Sequence, residues 1–290
     1  MSKEKEIKRF EDRFSNEVIE IDAVTGASGF SGGKAGKDIM WGATIDLIAW
    51  KLHGSNNKVI QDKYSLDCLV DDDGLKEIRN SIDKESIIRV KVSKSIDDSK
   101  NYFKLVEVID NSYEDEELNE ILQEALKPVF YDDEILGRME LNKTVNVFET
   151  DVDWIDSKVN ISFDNSTDEN IIKEYISTAH ELYNNKKSWN KKVLSYAAEK
   201  LLDLANDWYE ESREEYYEYF DPEFEEEDEF FKYDKITKER FEKRIEFEDI
   251  AVYPNGDFSV YCSDGNVFAG HCIIIKGNIN GEFEYADMAG

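Results

Sequence analysis

The segment DAVTGASGFSGGKAGKDIMWGATIDLIAWKL (residues 22–52) decides between two kinds of fold, because a glycine-rich stretch separates two apolar runs. Five glycines fall within residues 26–36. A dinucleotide-binding βαβ unit places such glycines between a strand and a helix, whereas an antiparallel hairpin places them between two strands. The fold therefore depends on whether a helix or a strand comes after the glycines.

The segment does not contain the P-loop pattern of nucleotide hydrolases, G-x-x-x-x-G-K-[ST]. The first glycine of that pattern is replaced by Ser28 in one register and by Ser31 in the other. Neither Lys34 nor Lys37 is followed by the Ser or Thr whose hydroxyl would bind magnesium. Because this motif is absent, the segment is not a P-loop.

A dinucleotide site is harder to dismiss, since TGASGFSG (25–32) fits the glycine turn of short-chain dehydrogenases. SYAAEK also supplies the pair Tyr196 and Lys200, which in those enzymes protonates the substrate oxygen. However, Gly36 and Gly42 would each cost about 1 kcal/mol in the helix that must follow the turn. The later strand-like runs are joined by short turns, whereas parallel strands need a crossover of a dozen or more residues. A nicotinamide-dependent dehydrogenase is kept only as a remote alternative, and we expect no cofactor.

The chain after the glycines is rich in strand-like sequence. A segment at 71–82 has the pattern of a short helix, and 112–128 is a longer helix that Pro128 ends. The pattern predicts a mostly antiparallel, barrel-like β domain over residues 1–112, followed by a linking helix within 113–136. The alternating or apolar runs that indicate strands are 43–52, 63–70, 86–92 and 102–109.

The second half of the chain combines strands and helices. Residues 137–164 predict three antiparallel strands, and two helices come next, the second carrying an apolar stripe along 189–211. A short helix at 237–245 and several terminal strands complete the pattern. The fold class predicted for the whole chain is α+β. The domain at 137–290 is expected to be an antiparallel sheet with helices packed on one face.

The charge of the chain excludes several functions. The formal net charge is −30, from 66 acidic and 36 basic residues, which argues against binding nucleic acid or anionic membranes and suits a basic protein partner. The N-terminus has no apolar signal region, and no run approaches the length of a membrane span. The three cysteines, Cys68, Cys262 and Cys272, are odd in number and unpaired in spacing, as in a reducing cytoplasm. We therefore expect a cytoplasmic protein that does not contact the membrane.

A first group of candidate binding residues lies near the turn SDGN: Asp264, Phe268 and His271. These residue types could form a small-molecule or enzymatic site, and the competing interpretation is a hairpin turn with a packed strand. The three histidines have no Cys or His partner at metal-ligand spacing, so no metal site and no catalytic residue is assigned.

A second group of candidates lies in DWYEESREEYYEYF (207–220), where Trp208, Tyr216 and Tyr217 could anchor a partner. Core packing is the competing interpretation for Trp208. Residues 210–229 hold twelve acidic side chains and one basic side chain, Arg213. Such a block is usually a solvated charge run, but it could also be the face of a neutraliser of a basic toxin or nuclease.

The segment FEDIAVYPNGDFSVYCSDGNVFAGHCIIIKGNINGEFEYADMAG (247–290) resembles the C-terminal signature of the bacterial domain-of-unknown-function family DUF2262. The resemblance covers about 137–290, and the glycine-rich segment is similar to an N-terminal extension of some members. It implies an α+β fold and no catalytic residues. This chain departs from the family pattern in two places. Ala269 replaces an aromatic residue that is usual in the family, and the Trp that members often have near Tyr261 is missing. The residues that carry the resemblance are Ile250, Tyr253, Gly256, Phe258, Asp264, Gly265, Phe268, Gly270, His271, Ile273, Gly277, Asp287, Ala289 and Gly290.

These observations favour a cytoplasmic bacterial protein that acts as a non-catalytic binding or interaction module, with immunity-like neutralisation of a basic partner as its concrete version. The alternative is a small-molecule-binding protein or enzyme with a site near His271.

Overall fold

The computed structural model describes residues 2–54, 58–219 and 231–289. The chain divides into two compact units, each with its own apolar core. The α+β class is confirmed. Among the described helices, none is both long enough and apolar enough to cross a bilayer. The first unit comprises Met1–Pro128 and Lys143–Val145, and the second comprises Val129–Asn142 and Asn146–Gly290.

The first unit consists of six strands and three helices in the described residues. Its elements are α1 (Lys3–Glu11), β1 (Phe14–Thr25), β2 (Ser31–Gly33), β3 (Trp41–Leu52), β4 (Tyr64–Val70), α2 (Asp72–Ser81), β5 (Ile87–Ser95), β6 (Tyr102–Asp110) and α3 (Glu116–Leu126).

Five of these strands close into a barrel, because β1 pairs with β5 on one side and with β3 on the other. The order around the barrel is β1–β3–β4–β6–β5 and back to β1, with α2 between the third and fourth barrel strands along the chain. This connectivity is that of the OB fold, a five-stranded Greek-key barrel. The predicted barrel-like domain is confirmed, and the pair β4–β6 is parallel, because the segment between them runs through α2 and β5.

The glycine-rich segment connects two antiparallel strands of this barrel. Ala23 on β1 lies opposite Trp50 on β3, and Gly33 on β2 lies opposite Gly42. A dinucleotide-binding turn needs a helix directly after its glycines, and here the chain enters β3. Gly32 also packs closely on α2, since a Cβ there would lie 3.0 Å from Leu75 Cδ1. The dehydrogenase alternative is therefore dropped.

The N-terminal helix α1 is attached to the barrel through a buried carboxylate. Glu6 is 1% exposed, and its carboxylate accepts hydrogen bonds from the backbone N–H groups of Ile39 and Met40 at 2.9–3.0 Å. A buried carboxylate is tolerated only when its oxygens are satisfied in this way. Glu6 thereby fixes both the helix and the segment that leads into β3.

The second unit begins with a strand that sequence patterns did not indicate, β7. Its elements are β7 (Phe130–Asp133), β8 (Gly137–Asn142), β9 (Val147–Trp154), β10 (Ser157–Asp164), α4 (Glu169–Asn184), α5 (Lys186–Tyr219), α6 (Lys238–Arg244), β11 (Glu246–Val252), β12 (Asp257–Ser263), β13 (Cys272–Asn278) and β14 (Phe283–Ala289).

These eight strands form one sheet made of two antiparallel meanders, β7–β10 and β11–β14. The meanders meet at β10 and β11, which are parallel, with Ile161 opposite Ile250. Parallel neighbours require a long crossover, and α4, α5 and α6 supply it. The helices α4 and α5 pack on one face of the sheet, as predicted.

The covered face of the sheet forms the core of the second unit. Val159, Ile161 and Phe163 of β10 are at most 2% exposed, and the Trp154 ring stacks on Phe247 with centroids 5.5 Å apart. Because side chains alternate along a strand, the residues between these positions point to the opposite face, named the outer face below.

Glu6→Ala should destabilise the first unit by about 2–4 kcal/mol, because two backbone N–H groups would lose their buried acceptor. Urea unfolding followed by far-UV circular dichroism measures the loss, and hydrogen exchange at Ile39 and Met40 locates it. Glu4→Ala is the control, since Glu4 is exposed on the same helix. An equal effect of both substitutions would contradict a specific role for the Glu6 carboxylate.

Candidate functional site

Asp264 organises the loop between β12 and β13. Its side chain is buried, and one oxygen accepts a hydrogen bond from the Asn266 N–H at 3.0 Å. The other oxygen accepts from the N–H groups of Phe268 at 2.6 Å and Gly270 at 3.0 Å. Backbone donors therefore occupy both carboxylate oxygens, and the role of Asp264 in the structure is to shape the loop.

Gly265 lets this loop approach the end of α6. Its φ is +58°, and a Cβ at this position would lie 2.5 Å from the Arg244 carbonyl oxygen. The Arg244 guanidinium donates back to the Gly265 carbonyl at 3.0 Å. Any residue with a side chain would both strain the backbone and clash with backbone atoms, so glycine is required here.

The structure brings three more of the predicted residues together at the same loop. Phe268 is fully buried, and the Trp208 ring of α5 meets it edge-on with centroids 5.9 Å apart. His271 also contacts the Trp208 ring, at 5.5 Å, and its Nδ1–H donates to the Phe268 carbonyl. Asp264, Phe268, His271 and Trp208 thus form one cluster, which Phe241 extends on its apolar side. That this cluster binds a ligand stays a prediction.

The two predicted tyrosines lie elsewhere, at the end of α5, where they contact the segment 231–236. The Tyr216 ring stacks on Phe231 with centroids 4.6 Å apart. The Tyr217 hydroxyl and the Arg213 Nε–H both donate to the Phe231 carbonyl, at 3.0 and 3.1 Å. These contacts hold the segment along the helix. Within the acidic block 210–229, residues 220–229 lie outside the described part of the chain.

The outer face of the C-terminal sheet carries two rows of mostly polar side chains that run across neighbouring strands. Strand register places each residue of a row beside the next. The first row is Asp151, Asn160, Asp249 and Tyr261, and the second row is Glu149, Ser162, Ala251, Ser259 and Lys276.

Asp249 is a partly buried carboxylate of the first row with one oxygen that lacks a partner in the described part of the chain. Burial raises the pKa of its carboxyl, and the neighbouring charges of Glu149 and Asp151 raise that pKa further. Hydrogen bonds from the Ile250 backbone N–H and from the Ser162 hydroxyl oppose the shift. Among the described residues, Asp249 Oδ1 and the adjacent Asn160 Oδ1 are buried and have no hydrogen-bond donor. Two neighbouring acceptors therefore lack a partner that supplies N–H or O–H groups.

Tyr261 of β12 lies opposite Asp249, and Ser259 of the same strand lies opposite Ala251 in the second row. Burial raises the pKa of the Tyr261 hydroxyl, and the nearby Tyr253, with which it shares a hydrogen bond, raises it further. Ser259 is fully buried, and its hydroxyl has no partner among the described residues. Polar groups left unpaired in this way cost stability, and the outer face therefore keeps polar atoms that the described residues do not satisfy.

The sequence patterns missed this face, although part of its signal is present. Alternation along β10 and β12 marks Asn160, Ser259 and Tyr261 as positions that point away from the core. Their adjacency to Asp249 depends on the parallel pairing of β10 with β11. That pairing joins segments distant in the sequence, and no local pattern encodes it.

The carboxylate that lines a cleft of the barrel, Asp67, is already paired. Beneath α1, a cavity of about 420 Å³ is lined partly by Arg13, Thr44 and Asp67. Asp67 accepts hydrogen bonds from Arg13 at 3.1 Å and from the hydroxyls of Thr44 and Ser65 at 2.9 Å. This cleft therefore offers few unused donors or acceptors.

The remaining reactive side chains are also accounted for within the fold. Burial raises the pKa of the Cys68 thiol to about 12 and raises that of Cys262 well above its usual value, so neither is a ready nucleophile. His53 contacts Asp22 at 2.9 Å, and His180 contacts Asp133 at the same distance. Across residues 2–54, 58–219 and 231–289, no three His, Cys, Asp or Glu side chains converge as metal ligands would.

Fold and surface together define a two-unit α+β protein, with an OB barrel and an eight-stranded sheet whose outer face is polar. Residues 133–288 match the family described as "Uncharacterized protein conserved in bacteria (DUF2262)", and the chain belongs to that family. Residues 6–125 match a second family, "Domain of unknown function (DUF7021)". The predicted resemblance is confirmed. No curated protein and no solved structure matches the chain.

Asp264→Asn should destabilise the second unit by about 2–4 kcal/mol, because an amide replaces an oxygen that accepts backbone hydrogen bonds. Chemical unfolding gives the free-energy change, and amide hydrogen exchange at Phe268 and Gly270 reports the loop. Asp156→Asn is the matched control, since Asp156 is exposed in the β9–β10 turn. A stable Asp264→Asn protein with unchanged hydrogen exchange at these two amides would contradict the organising role of this carboxylate.

Asp249→Asn should stabilise the second unit at pH 7. Because the pKa of Asp249 is raised in the folded state, folding favours its protonated form, and ionisation costs stability as pH rises above the ordinary carboxyl pKa. An uncharged amide escapes that cost. The gain should shrink as pH falls to about 3, below the ordinary Asp pKa of about 3.9, where the unfolded carboxyl is also largely protonated. Unfolding curves at both pH values measure it, and a gain independent of pH would contradict the electrostatic cause.

Proposed function

We propose that this protein is a non-catalytic interaction module that binds a basic protein partner through the outer face of its C-terminal sheet. The observation that carries the proposal is the pair of acceptors without a donor among the described residues, Asp249 Oδ1 and Asn160 Oδ1, beside Glu149 and Asp151. A Lys or Arg side chain brings several N–H donors and no acceptor. These donors are what the two acceptor oxygens lack.

The electrostatic setting supports a cationic partner. Burial is the largest cause of the raised pKa of Asp249, and the carboxylates of Glu149 and Asp151 raise that pKa further, so Asp249 lies in a partly desolvated position with repulsion from two neighbouring carboxylates. A cation docked against Asp249 would relieve that repulsion and would gain from the partly desolvated position. The whole-chain charge of −30 would also speed the approach of a basic protein.

Immunity-like neutralisation of a basic toxin or nuclease in the cytoplasm is the concrete version of this proposal. A neutraliser needs only to cover its target, so it requires no catalytic group. The packing of the Asp264 loop agrees with such a role, since backbone N–H groups occupy its carboxylate.

A second acidic surface serves as an internal comparison. Glu210, Glu214 and Glu218 are exposed along the end of α5, within the described part of the acidic block. They lie on one helix and are open to solvent, where each ion pair contributes only about 0.2–1 kcal/mol. The partly buried Asp249 offers a stronger contact, so the outer face is favoured as the recognition surface.

The test uses the full chain and two capped peptides, tetralysine and tetra-arginine, at ionic strengths of about 50 mM and about 300 mM. A variant with Glu149→Gln, Asp151→Asn and Asp249→Asn removes three charges from the outer face. Its Kd for the peptides should rise at least about tenfold, because three charge contacts of this kind together exceed about 1.4 kcal/mol. Isothermal titration calorimetry measures the Kd.

The matched variant carries Glu210→Gln, Glu214→Gln and Glu218→Gln, which remove the same number of charges from α5. Its Kd should rise less than about threefold. Equal losses in both variants would show attraction by net charge alone, and a larger loss in the α5 variant would move the recognition surface to the acidic block. Either result would overturn the assignment to the outer face.

A further inference from the structure

A cavity of about 230 Å³ opens on the outer face at the β12–β13 end of the second row. Its polar lining comes from Tyr253, Asp257, Ser259, Lys276 and Glu284. The volume is below the range of drug-sized pockets but equals that of several water molecules. A molecule the size of one sugar ring therefore fits the cavity.

The observation that indicates a ligand is the unused hydroxyl of Ser259. This residue lines the cavity, it is fully buried, and its hydroxyl has no hydrogen-bond partner among the described residues. A buried hydroxyl without a partner lowers the stability of the fold. A ligand atom within reach of Ser259 Oγ would remove that cost, whether it donates or accepts.

The charges around Ser259 decide the chemical class of the ligand. Lys276 lies directly opposite Ser259 on the neighbouring strand, and its ammonium faces the Tyr285 ring at 5.4 Å. This ammonium repels a cationic ligand, while the carboxylates of Asp257 and Glu284 repel an anionic one. A neutral hydroxyl avoids both repulsions, since it can accept from Lys276 and donate to a carboxylate.

We propose that this cavity is a binding site for a neutral polyhydroxylated molecule of monosaccharide size, held by hydrogen bonds to Ser259, Lys276 and Glu284. The ring of Tyr253 supplies an apolar wall against which the carbon skeleton of such a molecule packs. The site lies beside the acceptors assigned to a basic partner and does not depend on them, because it uses other residues and a ligand without charge.

The experiment titrates the ¹⁵N-labelled full chain with D-glucose, D-galactose and D-ribose, and with glucosamine and glucuronate as charged counterparts. Amide signals of Tyr253, Ser259 and Lys276 should shift saturably with at least one neutral sugar and less with its charged counterparts. Ser259→Ala should raise the Kd for that sugar about threefold to tenfold, the effect of losing one neutral hydrogen bond. Ser263→Ala, on the same strand and face, should leave the Kd unchanged.

A second measurement separates binding from folding. Without sugar, Ser259→Ala should be at least as stable to urea as the unmodified protein, because it removes an unpartnered buried hydroxyl. A loss of stability would show that Ser259 Oγ has a structural partner and would overturn the proposal. Saturable binding of charged probes only, equal affinity of the Ser259→Ala variant, or no saturation by any neutral sugar at its solubility limit would also overturn it.

Discussion

The pairing of β10 with β11 is the constraint on which the second unit depends. Ile161 and Ile250 lie opposite each other in this parallel pair, and both are at most 1% exposed in the core. Because side chains alternate along each strand, the register that buries the two isoleucines also sets Asn160 beside Asp249 on the outer face. If the register of this pair shifted by one residue, the apolar side chains of the shifted strand would face outward and its polar side chains would face the core. One register therefore determines both the core and the polar surface.

The polar surface stands in contrast to two buried carboxylates elsewhere in the described fold. Glu6 is bonded to backbone N–H groups of the barrel, and Asp264 is bonded to three such groups of its own loop. Asp249 and Ser259 each retain a buried oxygen without a partner among the described residues. Structures keep such costs mainly where binding or catalysis uses them. This contrast, and not the net charge alone, directs attention to the outer face.

Much of the fold was predictable from local sequence. The helix at 237–245 corresponds to α6, and the first of the two helices predicted after residues 137–164 corresponds to α4, whose Asp168 caps its N-terminus. The four strand-like runs of the first half all became barrel strands. The candidate residues were only partly grouped in advance, since Trp208 was placed with Tyr216 and Tyr217. The structure places it against His271 instead, because a long helix carries neighbouring residues to different partners.

The sequence by itself determined the α+β class, most element positions, the acidic charge and the antiparallel character of the segment after the glycines. These result from residue preferences and periodicity within short windows. Only the tertiary structure decided that β1 closes the barrel by pairing with both β3 and β5, and that Asn160 meets Asp249. Contacts of this kind join segments that are far apart along the chain. Their register is fixed by burying apolar side chains from both segments at once, which no single stretch of sequence specifies.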